Sequence, residues 1–230
     1  MTNHLETHVE TVTLKEDLSH QGKVVLRYCI EYPRFYSSRY ASAASRINDY
    51  HRRRALMFQR HCRKKMFHSA VEQYEFAMAN HYPLMTFEAN RKFECTFLTN
   101  CTTSVYTDTY LFSGGAHGTT TRQSDTWSMR VGRQLPITAF FTRPNYQSTL
   151  FQIIEKQIEK RQKETPGAFF ENYPQMIREE FHPQQFYLSN KGVSVYYQQY
   201  DIAPYATGLP VFLIPFGGGF ARKPQCGKTR

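Results

Sequence analysis

The sequence predicts an α+β fold, with a small strand-helix-strand subdomain beside an antiparallel sheet that is covered by one or two helices. A long segment with helical periodicity precedes segments rich in Thr, Phe, Tyr and Val that are punctuated by turn sequences. Eighteen Phe and sixteen Tyr beside one Trp are typical of half-exposed sheet surface. The 230 residues suffice for one large domain or two small ones.

The first predicted elements are a strand from about Lys23 to Pro33 and a helical pattern from about Ala41 to Asn80. Apolar or small residues recur in the pattern at steps of three and four, and Arg54 fills the one gap in the series. A helix of about forty residues is long for a globular domain, so we expect a kink or break within it.

Four basic residues are predicted to share the opposite face of this helix. Arg46, Arg53, Arg60 and Lys64 are spaced seven, seven and four residues apart, and we call them the arginine stripe. Two interpretations stay open, a solvated helix face and a surface that binds anions. No aromatic residues interleave the stripe and no nucleic-acid-binding signature accompanies it, so nucleic acid is not the expected partner.

From about Leu84 the pattern changes from helix to sheet. Turns are possible at Asn90-Arg91 and Thr99-Asn100, and another is expected at 131–133, where Gly132 would adopt a positive φ. The segment SGGAHG, residues 113–118, would join two strands of an antiparallel meander.

The remaining elements are predicted from shorter patterns. A helix is expected from about Tyr146 to Arg161, and a helical turn near Pro174–Phe181. Residues 189–192 form a hairpin turn sequence, and a last strand follows Pro210.

Composition limits the possible partners and compartments. The formal net charge of +10 favours nucleic acid, anionic envelope polymers or acidic proteins over a strongly cationic protein. No run of about 18 apolar residues and no export signal occur, so we expect no membrane span and, for the chain as given, a cytoplasmic location.

The five cysteines form no CxxC pair, which argues against a zinc site or disulfide framework. Free, mostly buried thiols are expected, although one isolated bridge is compatible with the spacing.

The loop SGGAHG does not carry the features of a cofactor or catalytic loop. It lacks the Lys-Ser/Thr pair and following helix of a phosphate-binding loop, and no βαβ unit surrounds it. A hydrolase would use His117 with Asp108 or Asp125, but no nucleophile signature and no second histidine at ligand spacing appear. We therefore expect no cofactor, no metal and no catalytic residue, and His117 as a turn residue or a contact for a partner.

Three segments carry a resemblance to a known family. SGGAHG, then VGRQL with the pair FF, and then FYLSNKGVSVYYQQYDIAPYATGLPVFLIPF resemble the C-terminal domain of the RsiV anti-sigma-V factor family. Residues 20–105 resemble the smaller domain that accompanies it, which also precedes the catalytic domain of some peptidoglycan deacetylases. The implied organisation is a flexible segment 1–19, a strand-helix-strand subdomain 20–105, an RsiV C-terminal-like domain 106–216 and a flexible basic tail 217–230.

The resemblance implies a non-enzymatic sensor or binding module of the Gram-positive cell envelope, located outside the cytoplasm as in that family. Lysozyme is the ligand that the family suggests, but the net charge of +10 would repel a cationic protein. The chain also departs from the family by having no membrane helix or sigma-binding segment, and TAFF stands where an acidic DLF ending is more usual.

The segment DIAPYATG allows two interpretations. In the first, Pro204 and Gly208 have the purely architectural role of turning the chain between strands. In the second, Tyr205 and the glycine loop form one contact surface. Recognition of a protein or envelope polymer is the favoured function. Binding of teichoic acid, acidic polysaccharide or nucleic acid through the arginine stripe is the alternative, and a hydrolase comes last. Besides the stripe, the candidate binding residues are Ser113, Gly114, Gly115, Ala116, His117, Gly118 and Tyr205.

Overall fold

The computed structural model, which describes residues 7–226, confirms the α+β fold. A six-stranded sheet and a three-stranded sheet are accompanied by four α-helices. The larger sheet contains β1 (Thr7–His20), β2 (Lys23–Ser37), β3 (Phe87–Leu98), β4 (Thr102–Phe112), β5 (Thr119–Ser128) and β6 (Arg133–Gln134). The smaller sheet contains β7 (Phe186–Leu188), β8 (Gly192–Tyr196) and β9 (Val211–Pro215). The helices are α1 (Ala41–His61), α2 (Phe67–Ala79), α3 (Tyr146–Glu164) and α4 (Tyr173–Glu179).

The six strands lie in sequence order in the larger sheet. All neighbours are antiparallel except β2 and β3, which run parallel. Parallel neighbours need a long crossover connection, and α1 and α2 supply it. The predicted break in the long helix is confirmed, because one π-helical segment, Cys62–Met66, separates α1 from α2.

Each sheet has its own hydrophobic core. Ile47 of α1 and Ala70 of α2 are buried against the larger sheet, and so is Cys62 of the π-helical segment between the two helices. In the C-terminal part, Leu150, Ile154 and Ile158 of α3 are almost completely buried and pack in the core of β7, β8 and β9. Burying one such side chain contributes about 1.5–3 kcal/mol, so these two helix faces hold the layers together.

The structure corrects two of the predicted boundaries. Residues 7–19, within the segment expected to be flexible, belong to β1, which pairs with β2 from Thr7 opposite Ser37 to His20 opposite Lys23. The predicted boundary between residues 105 and 106 lies inside β4, which pairs with both β3 and β5. The larger sheet therefore continues across that boundary to residue 134.

Three of the predicted turns are confirmed and one is wrong. The turn at Thr99-Asn100 is confirmed, whereas Asn90-Arg91 lies within β3. Gly132 has a φ of +62°, as the tight turn requires, and the hairpin turn at 189–192 joins β7 to β8.

A disulfide ties the C-terminal segment to the larger sheet. Cys101, beside the start of β4, is bonded to Cys226, with their Cα atoms 5.5 Å apart. The bond is the isolated bridge that the cysteine spacing left open, and it corrects the favoured expectation of free thiols for these two residues. It also corrects the expectation of a flexible tail as far as residue 226. Ala221 is also buried and forms an isolated bridge with Phe141. Cys29, Cys62 and Cys95 are free.

Within residues 7–226, no helix combines the length and the apolar character needed to cross a membrane.

We predict that the unreduced, denatured chain exposes three thiols to iodoacetamide, because two of its five cysteines form the disulfide. Mass spectrometry should find three labels before reduction and five after it. Reduction should also lower the free energy of unfolding by about 2–4 kcal/mol, since the bond closes a long loop. Five labels without reduction would contradict the bond.

Candidate functional site

The glycine loop, residues 113–118, joins β4 to β5 as predicted. Gly114 and Gly115 have φ values of +89° and +99°, which glycine adopts without a steric penalty. Gly118 is needed for a different reason. A Cβ atom at that position would lie 2.4 Å from a ring carbon of Tyr110 and 2.6 Å from the carbonyl oxygen of Leu111. The loop therefore has a shape that depends on glycine, and it presents Ser113, Gly115, Ala116 and His117 to solvent.

The structure brings the glycine loop and Tyr205 together. The rings of His117 and Tyr205 stack with their centroids 4.1 Å apart and an angle of 25° between their planes. The Tyr205 hydroxyl donates a hydrogen bond of 2.9 Å to the carbonyl oxygen of Gly118. Tyr200 extends the group, because its ring lies 5.9 Å from that of Tyr205. We call His117, Tyr200 and Tyr205 the aromatic rim.

Tyr200 was missed by the sequence analysis. Its φ of +69° lies in the left-handed region, which bulky residues rarely adopt, and its side chain is about half exposed. The turn around it is held by Asp201, whose carboxylate accepts a hydrogen bond of 2.7 Å from the Gln198 N–H. Such a backbone conformation costs about 1–3 kcal/mol and persists only where surrounding contacts fix it. An exposed tyrosine held in this way is a candidate contact residue.

Two glutamine side chains bind the outer edge of β5 where a neighbouring strand would otherwise pair. The N–H of Thr120 donates to Oε1 of Gln199 at 2.7 Å. The N–H of Arg122 donates to Oε1 of Gln198 at 2.9 Å, and Nε2 of Gln198 donates to the Arg122 carbonyl at 2.8 Å. The Gln198 amide thus reproduces both hydrogen bonds of a strand residue. We call Gln198 and Gln199 the glutamine clasp.

Asp108 is occupied by an ion pair. Arg122 donates to both of its carboxylate oxygens, at 2.7 and 2.6 Å. The guanidinium carbon of Arg122 lies 3.7 Å from the ring centroid of Tyr106, and the rings of Tyr187 and Tyr196 are each 5.8 Å away. This bidentate, partly buried ion pair holds the Asp108 side chain against the sheet.

Asp125 is also engaged elsewhere. It accepts hydrogen bonds from the Tyr50 hydroxyl at 2.8 Å and from Nε2 of Gln134 at 2.6 Å, and burial raises the pKa of its carboxyl group. Asp125 lies six residues from Thr119, the first residue of β5 after the glycine loop. Six residues of extended strand span roughly 20 Å, so Asp125 is far from the loop that carries His117.

His117 itself is exposed, and its Nδ1 lies 3.2 Å from the Gly118 carbonyl oxygen. The structure therefore does not assemble His117 with Asp108 or Asp125. Among the described residues, no group of three or more His, Cys, Asp or Glu side chains could hold a metal ion.

The arginine stripe is exposed along its whole length. Arg53, Arg60 and Lys64 point to solvent, and Nη2 of Arg46 donates to the Val131 carbonyl at 3.1 Å. No hydrogen bond or ring contact within residues 7–226 joins the stripe to the aromatic rim. The two predicted binding surfaces are therefore structurally independent.

Comparisons with known families match two parts of the chain. Residues 139–217 match a family described as a protein of unknown function, DUF3298. Residues 19–120 match the family described as deacetylase PdaC. Both matches fall on regions for which the sequence resemblance was stated, while the specific likeness to the RsiV family stays a prediction. The comparison with curated proteins finds no match.

Two solved structures share the fold. A member of the DUF3298 family from Bacteroides fragilis is 17% identical, covers 91% of this chain and 90% of its own, and gives a TM-score of 0.65. A DUF3298 family protein from Pseudomonas aeruginosa is 16% identical, covers 96% and 95%, and gives a TM-score of 0.59. The structural similarity covers 91% and 96% of this chain, so it includes both the region 19–120 and the region 139–217 that the family comparisons match.

Proposed function

We propose that this chain is a non-catalytic binding module that recognises a protein or cell-envelope polymer through the aromatic rim and the glycine loop. The stacking of His117 on Tyr205 carries the proposal, because it joins two segments far apart in sequence into one exposed surface. Tyrosine and histidine rings provide large contact area with few rotatable bonds, as in other recognition surfaces.

Preorganisation supports the same function. The Tyr205 hydroxyl is bound to Gly118, and the glutamine clasp fixes the start of the segment that carries Tyr200 and Tyr205. A surface that is already ordered loses less conformational entropy when a ligand binds. The strained backbone at Tyr200 fits this interpretation, since the surrounding contacts hold the ring in place.

The disulfide supports a location outside the cytoplasm. Structural disulfides persist in oxidising compartments and are rare in the reducing cytosol. Because Cys101 and Cys226 are bonded, we propose an extracytoplasmic location over the cytoplasmic one expected from the sequence.

The occupied aspartates support a binding role over a hydrolytic one. Asp108 is held by Arg122, and Asp125 by Tyr50 and Gln134, so neither of these two aspartates orients His117 as a general base. The match to the family described as deacetylase PdaC covers residues 19–120 only and does not by itself assign catalytic activity to this chain. By the resemblance stated above, this region corresponds to a domain that accompanies a catalytic domain.

The likeness to the RsiV family would make lysozyme the ligand, but electrostatics oppose it. A net charge of +10 slows the encounter with a cationic protein, and only a local acidic patch at the contact could offset this. A less basic protein or an envelope polymer is therefore the preferred ligand class.

The rim can be tested by capturing ligands from bacterial envelope and host-fluid extracts on the immobilised chain. We expect the double variant His117→Ser and Tyr200→Ser to reduce the captured component at least tenfold, because rim rings supply its contact area. Met57→Ser removes an apolar side chain on α1 that is more exposed than Tyr200, 68% against 51%, and should leave capture unchanged. Equal capture by both variants would refute the rim as the binding surface.

The exposed arginine stripe favours a second candidate, the binding of an anionic polymer. Arg53 and Arg60 lie about 11 Å apart along the axis at 1.5 Å per residue, so one polyanion could contact both. Reversing both charges, Arg53→Glu and Arg60→Glu, should weaken binding of dextran sulfate and flatten its salt dependence.

The control is Lys156→Glu with Lys160→Glu on α3, which changes the net charge equally at another exposed helix face. If the two pairs weaken binding to the same extent, total charge and not the stripe explains the effect.

A further inference from the structure

A second potential site lies apart from the aromatic rim. A cavity of about 800 Å³ opens between β5, which contributes residues 121–126, and the segment 182–186 that leads into β7. Tyr50 and Arg54 of α1 also line it. Ligand sites usually have volumes of about 300–1,000 Å³ and occur preferentially where two packed units meet.

Ser124 directs its main-chain groups into this region. Both main-chain groups of Arg122 bond to Gln198, so they point away from β4. The antiparallel register of β4 and β5 has no shift, and alternation therefore directs the N–H and C=O of Ser124 the same way. At Thr126 the carbonyl oxygen accepts from the Leu135 N–H at 2.7 Å.

The Ser124 hydroxyl donates to the carbonyl oxygens of Gln184 and Phe186, but within residues 7–226 no hydrogen bond is found to its outward main-chain N–H or C=O. The edge of β5 is therefore covered on both sides of Ser124 and open at Ser124. An open donor and acceptor at a sheet edge form a pairing position for an extended peptide.

The side chain of Gln185 contains a hydrogen-bond acceptor that no donor satisfies. It lines the cavity, and its side-chain oxygen Oε1 is buried and has no hydrogen-bond partner among the described residues. A buried, unsatisfied amide oxygen is energetically costly. A ligand N–H that reached it would remove that cost, and peptide groups supply such donors.

The cavity also has an excess positive charge. Arg54 donates to the Tyr50 hydroxyl at 3.0 Å and to Oε1 of Gln123, and both acceptors are neutral. Behind it, Arg91 donates to the Arg54 carbonyl at 3.3 Å, and burial lowers its pKa to about 10, which leaves it charged at neutral pH. Arg54 and Arg122 are the lining arginines, and Asp125 is the one lining carboxylate. Because Arg122 is paired with Asp108, Arg54 and its neighbour Arg91 leave one positive charge in excess over Asp125.

We propose that this cavity binds a short acidic peptide in an extended conformation. The peptide main chain pairs with Ser124, one of its N–H groups donates to Oε1 of Gln185, and its carboxylate contacts Arg54. None of these residues belongs to the aromatic rim, so this site stands or falls independently of the proposed function.

The test uses the full chain, labelled with ¹⁵N, and mixtures of N-acetylated, C-amidated tetrapeptides that each contain one Glu. At about 1 mM peptide we expect saturable shifts of the Ser124 amide and the Gln185 side-chain amide. The Ser124 amide should exchange quickly with solvent in the free protein and slowly in the complex. Replacing the peptide's Glu by Gln should weaken binding at least fivefold.

Two protein variants separate ligand binding from folding. Gln185→Met removes the unsatisfied oxygen at nearly constant volume, so it should weaken peptide binding at least fivefold while the unfolding temperature stays equal or rises. Arg54→Gln should weaken binding at least fivefold, and Arg53→Gln, an exposed neighbour on α1 outside the cavity, should not. If the Arg54→Gln variant does not fold, peptide binding by the Gln185→Met variant still tests the proposal.

Three results would overturn the proposal. The first is that no mixture shifts both reporter groups at about 1 mM. The second is that peptides bind the Gln185→Met variant as tightly as the original chain. The third is that the Ser124 amide is already protected from exchange in the free protein.

Discussion

The structure depends on how the outer edge of β5 is satisfied. An edge strand presents a row of unpaired N–H and C=O groups, which must find partners or remain open to other chains. The two-residue strand β6 covers only Trp127 and Ser128. Over Thr120 and Arg122 the partners are the side chains of the glutamine clasp. A side-chain amide can replace a strand there because it carries a donor and an acceptor side by side, as a peptide group does.

This arrangement connects the two sheets and positions both proposed binding surfaces. The clasp begins two residues after the end of β8, so its side-chain hydrogen bonds to β5 join the segment that leaves the smaller sheet to the larger sheet. Beyond the clasp, the same segment brings Tyr205 onto the glycine loop and forms the aromatic rim. On the other side of Arg122 the clasp ends, and the edge opens into the cavity at Ser124. The rim and the cavity are thus two consequences of one partly covered edge.

Local sequence patterns predicted most of the helices, strands and turns, but they did not predict the contacts between residues far apart in the sequence. The length of the helical pattern predicted a kink or break without its position at Cys62–Met66, and turn chemistry predicted the positive φ of Gly132. β1 was missed because its charged, exposed positions alternate with only half-buried ones, which gives an edge strand a weak apolar signal. The bond between Cys101 and Cys226 spans 125 residues, and the contacts of Gln198 with Arg122 span 76. Sequence spacing does not reveal contacts over such separations. The sequence therefore indicated Tyr205 as a contact residue, but it did not indicate that the glutamine clasp supports the segment that carries Tyr205.

Amide hydrogen exchange at Thr120 and Arg122 tests the central claim most directly. In the original chain both amides should be protected, because each donates to a clasp glutamine. In the variant Gln198→Leu with Gln199→Leu, both should lose about tenfold or more of their protection, while the amides of Thr121 and Gln123, which face β4, keep theirs. Exchange at Thr120 and Arg122 as fast as at Gly115 in the original chain would contradict the account.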